Sequence, residues 1–164
     1  MIRTLIRWTD TCSRWGGYLS AASMLVIVGL ITVEIVLRTL LKTSTLVADE
    51  YSGYLMVAVV FFGMAWTLRT DGHIRIGLLT SRLPEGWQKA LDLLAHLFVL
   101  AFCLYFLMHT GLMVEDTRAL DMRADSIAET PLWIPQLSML AGLVLLTLQV
   151  CAEILRRLLS SPTR

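Results

Sequence analysis

Residues 93–114 read LLAHLFVLAFCLYFLMHTGLMV, a run with no Asp, Glu, Lys or Arg in which His96 and His109 alone can take up a positive charge. A helix rises 1.5 Å per residue, so about 20 mainly apolar residues cross the roughly 30 Å hydrocarbon core of a bilayer. The run is long enough to do so. Three more stretches share its character: Trp15–Leu41, Tyr51–Leu68 and Pro131–Leu155. No Asp, Glu, Lys or Arg interrupts Trp15–Val33 or Thr130–Ala152. Over the whole chain 56% of residues are hydrophobic and 16% charged, against about 25% charged in soluble domains. A soluble bundle of four such helices would have no polar faces to turn to water. The expected fold is all-α: an integral membrane four-helix protein in one domain over 1–164, with spans at about 15–41, 51–69, 89–114 and 131–156. Little chain remains for a soluble catalytic domain.

Four spans place both ends of the chain on one side. That side would carry Arg3, Arg7, Arg14, Arg69, Arg75, Arg82, Lys89, Arg156, Arg157 and Arg164, and the other Arg38, Lys42, Arg118 and Arg123. The imbalance puts both termini in the cytoplasm by the positive-inside rule. The net charge of +1 gives no nucleic-acid footprint. Cys12, Cys103 and Cys151 lie on three separate helices without a CxxC, so neither a disulfide framework nor a zinc site is expected. Arginines precede the first apolar run as in a signal peptide, but no small-residue cleavage site follows, which reads as a retained span.

Residues 1–14 have helical amphipathicity. Ile2, Leu5, Ile6, Thr9 and Cys12 share one face, and Arg3, Arg7, Asp10 and Arg14 the other. This is the pattern of an N-terminal helix lying in the membrane interface. Glu34 and Arg38 are four apart on one helix face, where they can pair. The short connection after Leu41 makes a tight hairpin that brings Glu50 to the depth of Arg38. A cluster of Glu34, Arg38 and Glu50 near the outer boundary is therefore expected, since pairing lowers the cost of charge in a membrane. Paired this way, Arg38→Ala plus Glu50→Ala would be milder than the sum of the two. Beyond Val114 the chain is polar to Thr130, and a short surface helix is expected there. Pro84, Glu85 and Gly86 open the third helix, and Trp133 sits in the interfacial aromatic belt of the fourth.

GxxxxGK[ST], HExxH and GxSxG are absent, and no paired carboxylates lie deep in a span, so no catalytic residue is assigned. Two alternatives remain open. One is the membrane-anchor subunit of a haem or quinone oxidoreductase. His96 and His109 share one helix, though, and a haem would need a histidine from another chain. The other is an autonomous small four-span ion-coupled transporter using Glu34. Arg38 one turn away would hold Glu34 ionised, and the spans lack the Gly- or Pro-interrupted helices of a midplane site.

The series Asp49-Glu50-Tyr51, Phe62-Gly63-Met64-Ala65-Trp66, Arg69 and His73-Ile74-Arg75-Ile76 resembles the small membrane subunit (Q subunit) of the tripartite ATP-independent periplasmic, or TRAP, transporters of bacteria. Glu34 to Arg38, Pro131-Leu132-Trp133-Ile134-Pro135 and Gly142 extend the likeness over about residues 15–155. The resemblance implies a non-catalytic scaffold in the bacterial inner membrane, without cofactor or metal. It would brace a large, sodium-coupled, elevator-type membrane subunit. A periplasmic binding protein would capture the substrate, a carboxylate such as a C4-dicarboxylate or sialic acid. Gly63, Trp66, Arg69, His73, Trp133 and Pro135 are the motif residues that become candidates for contact with the large subunit.

Overall fold

The computed structural model describes residues 2–70, 72 and 84–159. Helix α1 runs Ile2–Val36 and continues through a π-helical turn, Leu37–Leu41, which ends at Lys42 with φ 52° in the left-handed region. Helices α2 (Ala48–Arg69), α3 (Glu85–Ala119) and α4 (Trp133–Leu159) follow. All four are long and apolar enough to cross a membrane. Among the described residues there is no β-strand, only an isolated bridge between Arg123 and Pro131. The expected all-α, four-helix membrane fold is what the chain adopts.

Helices α1, α2 and α4 pack against one another, and α3 packs chiefly on α4. Helix α4 is thus central and α3 peripheral. The apolar centre joins Ala65, Cys103, Leu146 and Val150 from α2, α3 and α4. Large apolar side chains such as Leu25, Val28 and Phe98 face outward. This inversion suits a lipid solvent, which gives apolar side chains no reason to leave the surface.

The inward face of α1 shows why the helices come so close. Ile6, Thr9, Ser13, Gly16, Ser23, Ile27 and Glu34 are buried, with Ser20 and Leu30 half-buried between them. They form one stripe of alternating three- and four-residue steps, the spacing of left-handed helix packing. Its middle is small or hydroxylated, which lets backbones approach. A Cβ on Gly17 would lie 2.9 Å from the Trp66 ring, and one on Gly142 would lie 2.6 Å from the backbone of Phe61.

Two expectations change. Residues 2–14 are helical but form no separate interfacial helix. They are the start of α1, because Ile6, Thr9 and Ser13 belong to the same buried stripe as the span. The polar segment after Val114 is not a short helix either. Helix α3 extends to Ala119, and Asp121 and Glu129, both at φ 44°, turn the chain out of the helical region. A closed turn follows, with the amide of Ala124 donating to Thr130 at 2.9 Å and that of Leu132 to Met122 at 3.0 Å.

Candidate functional site

The polar side chains collect at the two ends of the helices. At the hairpin end, Glu34 is buried and its carboxylate is fully engaged. Oε1 accepts from Arg38 Nε at 2.6 Å and from the Ser44 hydroxyl at 2.5 Å. Oε2 accepts from the Thr45 hydroxyl at 2.5 Å and the Thr45 amide at 3.1 Å. The π-helical turn lies between Glu34 and the loop it holds, so the extra residue in that turn sets where the chain folds back. Arg38 also lies 3.9 Å from Asp49.

Glu50 does not join this pair. Its Oε1 accepts from the Tyr54 hydroxyl at 2.7 Å. Its Oε2 is buried beside the hydroxyls of Ser126 and Thr130, short of a hydrogen bond. Glu34 therefore ties down the α1–α2 loop, and Glu50 faces the α3–α4 turn. The structure brings Glu34 and Arg38 together and sends Glu50 to different partners. The sequence reached depth but not direction: Glu50 is level with Arg38, yet α2 presents it to the other loop.

The opposite end carries a larger network. Asp10 of α1 pairs with Arg156 of α4 and lies 3.5 Å from Arg69 of α2. Arg156 also pairs with Glu153 at 2.7 Å. Gln149, fully buried, accepts from the Ser13 hydroxyl at 2.7 Å through Oε1 and donates to Glu153 at 3.3 Å. Asp92 of α3 pairs with Arg157 of α4. The network joins all four helices at one level, and none of its cross-helix pairs was expected from sequence. Gln149 could have been found, as one of two amides, with Gln136, inside a span free of charge.

The described motif residues are half-buried and make contacts within the chain. Gly63 faces Ser20, whose hydroxyl donates to the Val59 carbonyl at 2.7 Å. Trp66 packs on Gly17, and the Arg69 guanidinium lies 5.1 Å from the centre of its ring. Trp133 lies under Arg118 at 5.8 Å. The carbonyl of Pro135 accepts from Ser138 at 2.6 Å. His73 lies outside the described residues. His96 is buried toward α4, whereas His109 is exposed on the far side of α3 and stacks on Tyr105 at 4.3 Å.

Asp10 and Glu34 are separated by roughly 36 Å along α1 at 1.5 Å per residue. Two ion-pair layers thus bracket a thickness close to that of a hydrocarbon core. Within it α1, α2 and α4 are joined by small-residue contacts.

Residues 27–160 match the family described as "Tripartite ATP-independent periplasmic transporters, DctQ component". A TRAP transporter small permease protein of Haemophilus influenzae is 21% identical over 117 residues, covering 71% of each chain. The ectoine TRAP transporter small permease protein TeaB of Halomonas elongata is 27% identical over 110 residues, covering 65% of this chain and 57% of that protein.

Proposed function

Because the chain belongs to the DctQ family of TRAP transporter components, and is thereby a transport component of the bacterial inner membrane, we propose that it is the fixed scaffold of a sodium-coupled transporter. In this reading it braces a large elevator-type membrane subunit, which itself carries sodium and a carboxylate substrate delivered by a binding protein. The termini face the cytoplasm, where the arginine-rich side belongs.

The observation that carries the bracing role is the double tie across the helices. An ion-pair network holds α1, α2, α3 and α4 at one end. Glu34 holds the α1–α2 loop at the other. Between them, α2 and α4 meet at Gly142 with no room for a side chain. A body tied at both ends and closely packed in the middle resists sliding, which is what a stationary wall must do. The same geometry disfavours an autonomous ion-coupled transporter. To cycle a proton Glu34 would have to rearrange the four donors that hold it.

Reconstitution tests the proposal. The large subunit, the binding protein and a sodium gradient should give carboxylate uptake in proteoliposomes only when this chain is present. This chain alone should give none. Undiminished uptake without it, or uptake by it alone, would refute the scaffold role. Uptake that ignores sodium, or is confined to substrates lacking a carboxylate, would refute those two parts.

A further inference from the structure

Helix α3 has two unlike faces. His96, Cys103, Thr110 and Thr117 recur at seven-residue intervals and are buried. Roughly opposite on the helical wheel run Phe98, Phe102, Tyr105, His109, Leu112 and Asp116, all exposed. Phe102, Phe106, Tyr105 and His109 form a chain of ring contacts along this side, with centroids 4.3–5.8 Å apart.

Depth makes the face unusual. Asp92 marks one polar layer through its pair with Arg157. Asp116, beside the Arg118 that reaches Trp133, marks the other. Counted at 1.5 Å per residue, Tyr105 lies roughly 20 Å from Asp92 and 17 Å from Asp116, near the middle of the bilayer. His109 lies roughly 10 Å below Asp116. Tyrosine belongs at membrane interfaces, and ionisable side chains in spans face protein or water. Yet the Tyr105 ring is 60% exposed. Among the described residues, neither its hydroxyl nor the His109 ring nitrogens have a hydrogen-bond partner, and no cation pairs with Asp116. The exposed face of α1 also carries a tyrosine, Tyr18, but nearer the bilayer middle it offers a contrast: Leu25, Val28, Ile31 and Ile35 suit lipid as they stand.

We infer that the Phe98–Asp116 face of α3 is the surface that grips the large membrane subunit. The occupant would be a transmembrane helix with a hydrogen-bond acceptor at the depth of Tyr105 and His109 and a basic residue level with Asp116. This rests on the scaffold reading. Lipid chains satisfy neither Tyr105 nor His109, whereas Asp116, at the polar layer, also meets water and headgroups. A second copy is a poorer occupant. Parallel pairing sets like residue against like across the interface, which opposes Asp116 to Asp116.

The test is photocrosslinking in the assembled complex. Benzoylphenylalanine at Phe102 or Leu112 should label the co-expressed large subunit, and at Leu25 or Ile31 of α1 it should not. In separate variants with the fold intact by circular dichroism, His109→Leu and Tyr105→Phe should each weaken co-purification roughly threefold, the scale of one hydrogen bond between membrane helices. Asp116→Lys should weaken it further. Adducts from α1 only, with co-purification intact, would overturn the α3 assignment and leave the scaffold reading standing. Adducts from Phe102 to lipid, or to a second copy, would also overturn it. Failure of the unmodified chain to co-purify with the large subunit would sink both.

Discussion

Gly142 and Gly29 both sit in membrane helices, but their surroundings differ. A Cβ on Gly142 would lie 2.6 Å from the Phe61 backbone, whereas nothing lies within 4 Å of one on Gly29. Gly142→Ala should therefore force α2 and α4 apart, costing about 1–3 kcal/mol. Gly29→Ala should be neutral or stabilise by up to about 1 kcal/mol. Thermal unfolding in detergent separates the two. Gln149→Leu strands the buried Ser13 hydroxyl and should cost about 1–3 kcal/mol. A cost below that of an exposed Thr32→Ala would contradict the buried contact. Glu34 and Arg38 differ too. Glu34 holds four donors, and Arg38 is half-exposed. Glu34→Ala should lower the midpoint more than Arg38→Ala, and the two together should do less than their sum. Arg38→Ala with Glu50→Ala should instead be additive, because Glu50 answers to Tyr54. A milder-than-sum result there would restore the three-residue cluster.

At the scale of elements, the four helices were legible in the sequence because length and charge-free composition leave one solvent in which such runs are stable. How the helices face one another was less legible. The amphipathic reading of residues 1–14 assigned Asp10 to water. Its partners, Arg156 and Arg69, are distant in sequence and lie on other helices. The small-residue stripe Ser13, Gly16, Ser20, Ser23 is not legible as a contact face in the sequence, because lipid-facing and protein-facing residues look alike in one chain. The segment after α3 is a turn and not the expected surface helix, because two left-handed residues, Asp121 and Glu129, decide the path. If the terminal network ties α1 to α4, Asp10→Ala and Arg156→Ala should couple by roughly 0.5–3 kcal/mol in a double-mutant cycle. Zero coupling would mean that α1 is not held there.

The whole molecule is a set of helices fastened at both faces of a hydrocarbon-thick slab. Its orientation is open to labelling. With Cys12, Cys103 and Cys151 replaced by Ser, Thr43→Cys and Ile127→Cys should react with an impermeant thiol reagent from the periplasm. Leu158→Cys should react only after the membrane is opened. The motif residues recognisable in the sequence make contacts within the chain, as Gly63, Trp66 and Arg69 show. On the exposed α3 stripe, which no motif covered, Tyr105, His109 and Asp116 have no polar partner among the described residues. A scaffold must keep its shape while its partner moves. Spin labels at Leu25 of α1 and Leu104 of α3, in the complete transporter in liposomes, measure that shape directly. A single interhelix distance, unchanged by sodium, substrate or binding protein, is expected. A distribution that shifts or splits on adding any of them would show the chain moving with the transport cycle, and the account of it as a fixed brace would be wrong.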